Sequence, residues 1–179
     1  SAFSGAGSGT SDDPYRITNA DQFLEMRTDS GYFVLENDID MTGKPWSAKV
    51  YGVGGSDKPF HLDGQGHIVK NLVVTISYNK YAMFELYGDD FSIKNVVFES
   101  PSMTAPSPIN VYGGYSYAGF IAESVRYPIT LENVGIVNAD FDVSFHADQL
   151  HLGGFFGQIR GSPTIENCFV TGTLTPESR

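Results

Sequence analysis

One four-residue signature recurs along the chain: Val69-Lys70-Asn71-Leu72, Ile93-Lys94-Asn95-Val96, Leu131-Glu132-Asn133-Val134 and Ile165-Glu166-Asn167-Cys168. Each copy is an apolar residue, a charge, asparagine and a second apolar residue. Recurrence at this scale marks a repeat architecture, in which each unit buries its apolar face only against its neighbours. Upstream of the last three copies stand Tyr81-Ala82-Met83-Phe84-Glu85, Ala118-Gly119-Phe120-Ile121-Ala122 and Gly153-Gly154-Phe155-Phe156-Gly157. From the fourth residue of each segment to its asparagine the distance is 11 (84 to 95), 12 (121 to 133) and 11 (156 to 167). The units themselves are 37 (84 to 121) and 35 (121 to 156) residues apart.

Parity inside the signature says what the repeat does. Alternate residues of a strand share a face, yet the apolar slots around each asparagine fall at −2, +1 and +3. Val69, Leu72 and Val74 show this, as do Ile165, Cys168 and Val170. The period slips by one at the asparagine. A strand that slips once and keeps its apolar face inward has turned a corner, and asparagine tolerates the left-handed backbone a corner demands. Asn71, Asn95, Asn133 and Asn167 are therefore expected to be structural corners, with Lys70, Lys94, Glu132 and Glu166 pointing outward. Strand, corner, strand in constant register predicts an all-β fold, a parallel β-helix.

Composition agrees. Of 179 residues 41% are hydrophobic, with 20 glycines, nine prolines and 13% aromatics, which favours short strands and tight turns over long helices. A net charge of −10 with only eleven Lys and Arg argues against nucleic acid, since phosphate contacts need clustered cations. No apolar run approaches the ~20 residues that span a bilayer, so no membrane insertion is expected within this chain. Cys168 stands alone and cannot form an intrachain disulfide; in a +1 apolar slot it is expected to be a buried, inert thiol.

Residues 1–10 are rich in Gly and Ser and read as a flexible lead-in, and 11–179 as a single β-helix domain. Thr18-Asn19-Ala20-Asp21 has capping-box spacing and predicts one short helix at about residues 20–28. Tyr32 to Met41 reads as a strand, and Phe60 to His67 as a strand meeting an Asp63-Gly64 turn. The chain opens on Ser1 and shows no capping element after the last repeat, so it reads as a fragment of a longer chain.

These segments resemble bacterial surface proteins that carry the GLUG motif. Gly154-Phe155-Phe156-Gly157 and Ala118-Gly119-Phe120-Ile121-Ala122 look like the motif's core, and Thr164 to Gly172 like its second half. Gly7-Ser8-Gly9-Thr10, Asp13 to Ile17, Asn37 to Met41 and Phe60 to Asn71 are similar to segments preceding such repeats in secreted adhesins and in the non-catalytic portion of immunoglobulin A1 metallopeptidases. The resemblance spans residues 7 to 173. It implies a β-helix at the cell surface or outside a bacterium, in a protein for attachment or for holding another domain. Ala82-Met83-Phe84-Glu85 lacks both glycines of the motif, so that coil is expected to be irregular.

Candidate chemistry is sparse. A metallopeptidase helix needs two His four apart with a Glu between them, and the histidines at 61, 67, 146 and 151 do not supply that spacing. His61 and His67 flank the Asp63-Gly64 turn and read as turn and surface histidines before metal ligands. Asp38 with Asp40, and Asp140 with Asp142, alternate onto one strand face, which reads as a solvated face before a pair of catalytic acids. Calcium is the one cofactor to consider, held by Asp38, Asp40 or Asp63 with neighbouring carbonyls; otherwise none is expected. Tyr112, Tyr115 and Tyr117 sit on a Gly-rich insertion and offer rings for sugar stacking or a protein contact. Trp46 is either a hydrophobe over the first coil or a stacking platform.

The expected function is a non-enzymatic extracellular module for adhesion, ligand display or use as a stalk, with a host or bacterial surface protein or glycan as partner. The alternatives are a carbohydrate-binding or carbohydrate-active β-helix, and the accessory β-helix of a large secreted metallopeptidase.

Overall fold

A computed structural model, describing residues 3–47, 49–77, 81–105, 109–110, 115–146 and 149–178, shows the chain wound as a parallel β-helix. Every strand pairing among the described residues is parallel. On the first face Tyr15, Phe33, Leu62, Ile93, Leu131 and Ile165 lie in one row. The separations 33 to 62, 62 to 93, 93 to 131 and 131 to 165 make four coils of 29, 31, 38 and 34 residues. A second row is Ile39, Val69, Phe98, Ile136 and Val170. A third is Trp46, Val74, Met103, Phe141 and Leu174, and a fourth is Val50, Phe84, Ala122 and Phe156. Side chains of each row stack at the ~4.8 Å strand spacing, which builds one continuous core of buried Val, Ile, Leu and Phe.

The corners are where the backbone turns left-handed. Asn71, Asn95, Asn133 and Asn167 have φ of 60°, 57°, 53° and 51°. The strand Phe91–Glu99 shows the slip directly: Phe91, Ile93, Val96 and Phe98 are buried, and Lys94 and Asn95 intervene. Asn133 Nδ2 donates to Asn95 Oδ1 at 3.0 Å, and Asn95 Nδ2 donates to Asp63 Oδ1 at 3.1 Å, so this corner is a hydrogen-bonded stack through three coils.

The first signature copy is not part of that stack. Val69 pairs with Phe98 and Lys70 with Glu99, whereas Ile93 pairs with Leu62. Asn71 thus stands at the next corner of the coil, above Ser100 and Asn138, whose φ values are 53° and 56°. Two corners obey the same local rule, so a sequence pattern cannot separate them. The corner of that coil that does join Asn95 is at Gln65 and Gly66, with φ of 51° and 82°, two residues after the expected Asp63-Gly64 turn. Gly64 itself lies within the strand Phe60–Lys70, and a Cβ there would sit 2.4 Å from the Asn95 carbonyl oxygen.

The glycine segments also shift by one. Phe84 and Phe156 both pair with Ala122, not Ile121. Measured from Ala122, the distance to the corner is 11 in all three units (84 to 95, 122 to 133, 156 to 167). Gly119 and Gly157 are required by close backbone approach between coils: a Cβ on Gly119 would lie 2.7 Å from the Gly157 nitrogen. Ala82, in the coil without these glycines, is fully buried, and the strand Phe84–Leu86 pairs on both sides, with the expected irregularity as a register shift between Val50 and Val53 of its neighbour.

The N-terminal end is closed. From Phe3 onward the segment read as a flexible lead-in packs on the first coil: Phe3 is buried against Tyr15 and Phe33, Arg16 N donates to Ala6 O, and Tyr32 N donates to Gly9 O. The helix is Ala20–Glu25, shorter than expected, and its cap is Asn19 rather than Thr18. Asn19 Oδ1 accepts from Gln22 N, while Gln22 Oε1 accepts from Thr18 N, a capping box displaced by one residue. This helix puts Phe23 over the core, edge-on to Trp46 at 5.9 Å.

The other end is open. Ile165, Val170 and Leu174 continue rows whose preceding members Leu131, Ile136 and Phe141 are fully buried, yet they are themselves 39%, 37% and 40% exposed. Cys168, expected to be buried, is only partly so for the same reason, and its Sγ donates to Glu166 O.

Candidate functional site

Each of the three carboxylates considered for calcium accepts hydrogen bonds from the chain. Asp38 Oδ1 accepts from Ile68 N at 2.9 Å and faces His67 Nδ1 at 3.3 Å. Asp40 Oδ1 accepts from Thr42 N, Thr42 Oγ1 and Asn71 Nδ2, and Asp63 Oδ1 accepts from Gln65 N and Asn95 Nδ2. Each carboxylate braces a corner. Among the described residues no three His, Cys, Asp or Glu converge as a metal site.

Hydrogen bonding stabilises two of these anions. The Ile68 amide, followed by His67, holds Asp38 below the ordinary aspartate pKa of 3.8, and the Thr42 hydroxyl with Asn71 does the same for Asp40. A depressed folded pKa contributes stability above 3.8 that is lost as pH falls through the depressed value. Asp38→Asn/Asp40→Asn keeps an acceptor oxygen at each site without the charge. Its melting temperature is expected to fall less steeply than wild type's below 3.8, and parallel curves would rule this out.

Trp46 is not a surface platform. Its ring is fully buried between Phe23 and Phe84, and Nε1 donates to Met83 O at 3.2 Å. Tyr112 lies outside the described residues. Tyr115 pairs with Gln149 in the strand Tyr115–Ala118, and the Tyr117 ring stacks on His151 at 5.0 Å. Asp140 and Asp142 are exposed on their strand, next to Thr173 and Thr175 of the following coil.

His61 joins a chain of groups that the linear sequence keeps 29 and 31 residues apart. Its Nδ1 is 2.7 Å from Ser92 Oγ, its Nε2 is 2.6 Å from Asp90 Oδ1, and its ring stacks on Tyr32 at 4.4 Å. These residue types can carry out acyl transfer, but that chemistry also needs free N–H donors beside the nucleophile. Ser92 lies in a strand paired on both sides, to His61 and to Thr130, so its neighbourhood's amides are spent on the ladder. The chain ties adjacent coils together.

The most developed surface feature is on the fourth face. Phe84, Ala122 and Phe156 point inward there, so the residues that follow them, Glu85, Glu123 and Gly157, belong to the outer surface. The Lys49 ammonium lies 2.9 Å from Glu123 Oε1 and 3.6 Å from Glu85 Oε2, with its side chain only 8% exposed. Glu123 Oε1 also accepts from Tyr81 N at 3.1 Å. Burial alone would lower the Lys49 pKa, but hydrogen bonding and attraction from Glu123, with Glu85 beyond, outweigh it and the value is raised. For Glu123 burial prevails over Lys49 and the carboxyl pKa is raised. Beside this cluster a pocket of about 290 Å³ is lined by Tyr87, Ser124, Arg126 and Tyr127.

Lys49→Met leaves the Glu123 carboxylate partly buried without its cation and is expected to cost about 1–3 kcal/mol near neutral pH. Because a raised acid pKa means the folded state binds the extra proton, the loss should shrink as pH falls through the raised value. Denaturant titrations at about pH 7 and about pH 5 check this; an equal loss at both would count against it. Sequence reading missed this site because segments aligned on Ile121 place Glu85 opposite Ala122. Aligned on Ala122, the same segments place Glu85 opposite Glu123.

No family model and no curated protein matches the sequence. A solved Bacteroides ovatus structure, provisionally assigned as an immunoglobulin A1 protease, is similar at a TM-score of 0.55 over 97% of this chain, with 24% identity. This chain spans 61% of the length of that structure. The likeness is one of fold. No helix among the described residues is long and apolar enough to cross a membrane.

Proposed function

We propose that this chain is an accessory β-helix module of a larger secreted or surface-attached bacterial protein, which holds a neighbouring domain and displays its own outer faces for attachment. The observation that carries this reading is the open end. Ile165, Val170 and Leu174 present an apolar ladder that a further parallel coil would cover in register, as each coil covers the one before it. The similarity to part of a Bacteroides ovatus structure, assigned provisionally as an immunoglobulin A1 protease, supports the accessory-region form of the reading. So does the GLUG-like pattern, whose glycines and asparagines all serve coil packing. The module is not expected to be catalytic, since the corner carboxylates are committed to hydrogen bonds and Ser92 lies in a strand paired on both sides.

The test compares bacteria producing the whole parent protein with bacteria producing it without this module, alongside the purified module incubated with immunoglobulin A1 and a polysaccharide panel. Surface attachment or display of the remaining domains is expected to fall, with no turnover by the module. Turnover by the purified module, or unchanged attachment and display, would overturn the reading.

A further inference from the structure

The fourth-face groove has the composition of a binding site for an uncharged ligand. Its four ionic groups cancel: Lys49 and Arg126 against Glu85 and Glu123. A net anion or cation therefore gains little from the local field. What remains is a close set of strong donors and acceptors, which is what vicinal hydroxyl groups engage, because each hydroxyl both gives and takes a hydrogen bond. The Lys49 ammonium is already shared by Glu123 and Glu85, whereas Arg126 makes no ion pair among the described residues and is one of the residues lining the pocket.

Aromatic rings frame these charges. Tyr87, which lines the pocket, is 61% exposed, and Tyr51, whose ring lies 5.2 Å from the Lys49 ammonium, is 50% exposed. A phenol face packs on the C–H face of a pyranose, and its hydroxyl remains free for hydrogen bonding. Glu85 and Glu123 are one coil apart, hence ~4.8 Å along the axis, so they can engage successive positions of one extended ligand. Beyond Glu123 the row continues as Gly157, which has no side chain to block the path.

We propose that this groove binds an uncharged glycan segment laid along the helix axis, with Tyr87 as the stacking face and Glu85 and Arg126 as hydrogen-bonding groups. The site stands whether or not the chain is a module of a larger protein.

The test is an array of uncharged gluco-, manno- and galacto-configured oligosaccharides, with sialylated and sulfated oligosaccharides as charged arms, followed by calorimetric titration of the strongest hit. Tyr87→Ala and Glu85→Gln are compared with wild type, melting temperature serving as the control for folding. Uncharged oligosaccharides are expected to bind, and each variant to weaken the hit at least about tenfold with little change in melting temperature, as loss of a stacked ring or a charged hydrogen bond does. Silence toward uncharged oligosaccharides, preference for the charged arms, or undiminished binding by both variants would overturn the proposal. None of these results bears on whether a further coil covers the open end, so the two readings fail separately.

Discussion

Trp46→Ala is expected to cost the fold about 3–5 kcal/mol, the range for removing a large aromatic from a packed core. Trp46 begins the third-face row, and its indole is fully buried. It meets Phe23 edge-on from the capping helix and Phe84 edge-on from the next coil, at 5.9 and 5.3 Å. Truncation therefore leaves a void between cap and coil, and it strands the Met83 carbonyl that Nε1 satisfies. Chemical denaturation of the variant measures the cost. A loss under about 1 kcal/mol would mean that the helix collapses into the void or that the indole is not the cap's anchor. The same burial explains why Trp46 fails as a ligand platform: an aromatic beside a glycine-rich loop looks alike whether it faces in or out.

Asn95→Leu is expected to lose about 3–4 kcal/mol, from two sources. Leucine pays roughly 1–2 kcal/mol for the left-handed backbone that asparagine adopts at φ 57°. The stack then loses two hydrogen bonds, to Asp63 and from Asn133, each worth about 1 kcal/mol. Asn95→Gly separates the two, since glycine is at ease in that backbone and removes only the hydrogen bonds. Equilibrium unfolding should rank wild type above the glycine variant and the glycine variant above the leucine variant. Equal stability of all three would mean that Asn95 is not a corner residue. Asn167 turns the same corner with φ 51°, but it lies in the open coil among partly exposed rows, so its replacement should cost less.

The contrast between these residues shows where sequence reading stops. The asparagines were legible because a parity slip and a left-handed residue are properties of a few consecutive positions. Nothing local distinguishes Asn71 from Asn95, however, and they occupy different corners. The shift from Ile121 to Ala122 is of the same kind: both are apolar, both follow Phe120, and only backbone pairing with Phe84 and Phe156 chooses between them. The candidate site depended on that choice. Lys49, Glu85 and Glu123 are 36 and 38 residues apart, and they meet only because the coils between them have the lengths they have.

By itself, then, the sequence determined that the chain coils, that asparagines turn its corners and that the core is a stack of alternate apolar residues. Inward and outward alternation survives any change in loop length, so it can be read without knowing the register. The tertiary structure decided which corners stack, which aromatic closes the first coil, where the ladder is left open and which charges share a groove. Those depend on the phase of one coil against the next, set by hydrogen bonding between strands 29 to 38 residues apart, and no short stretch of sequence contains it.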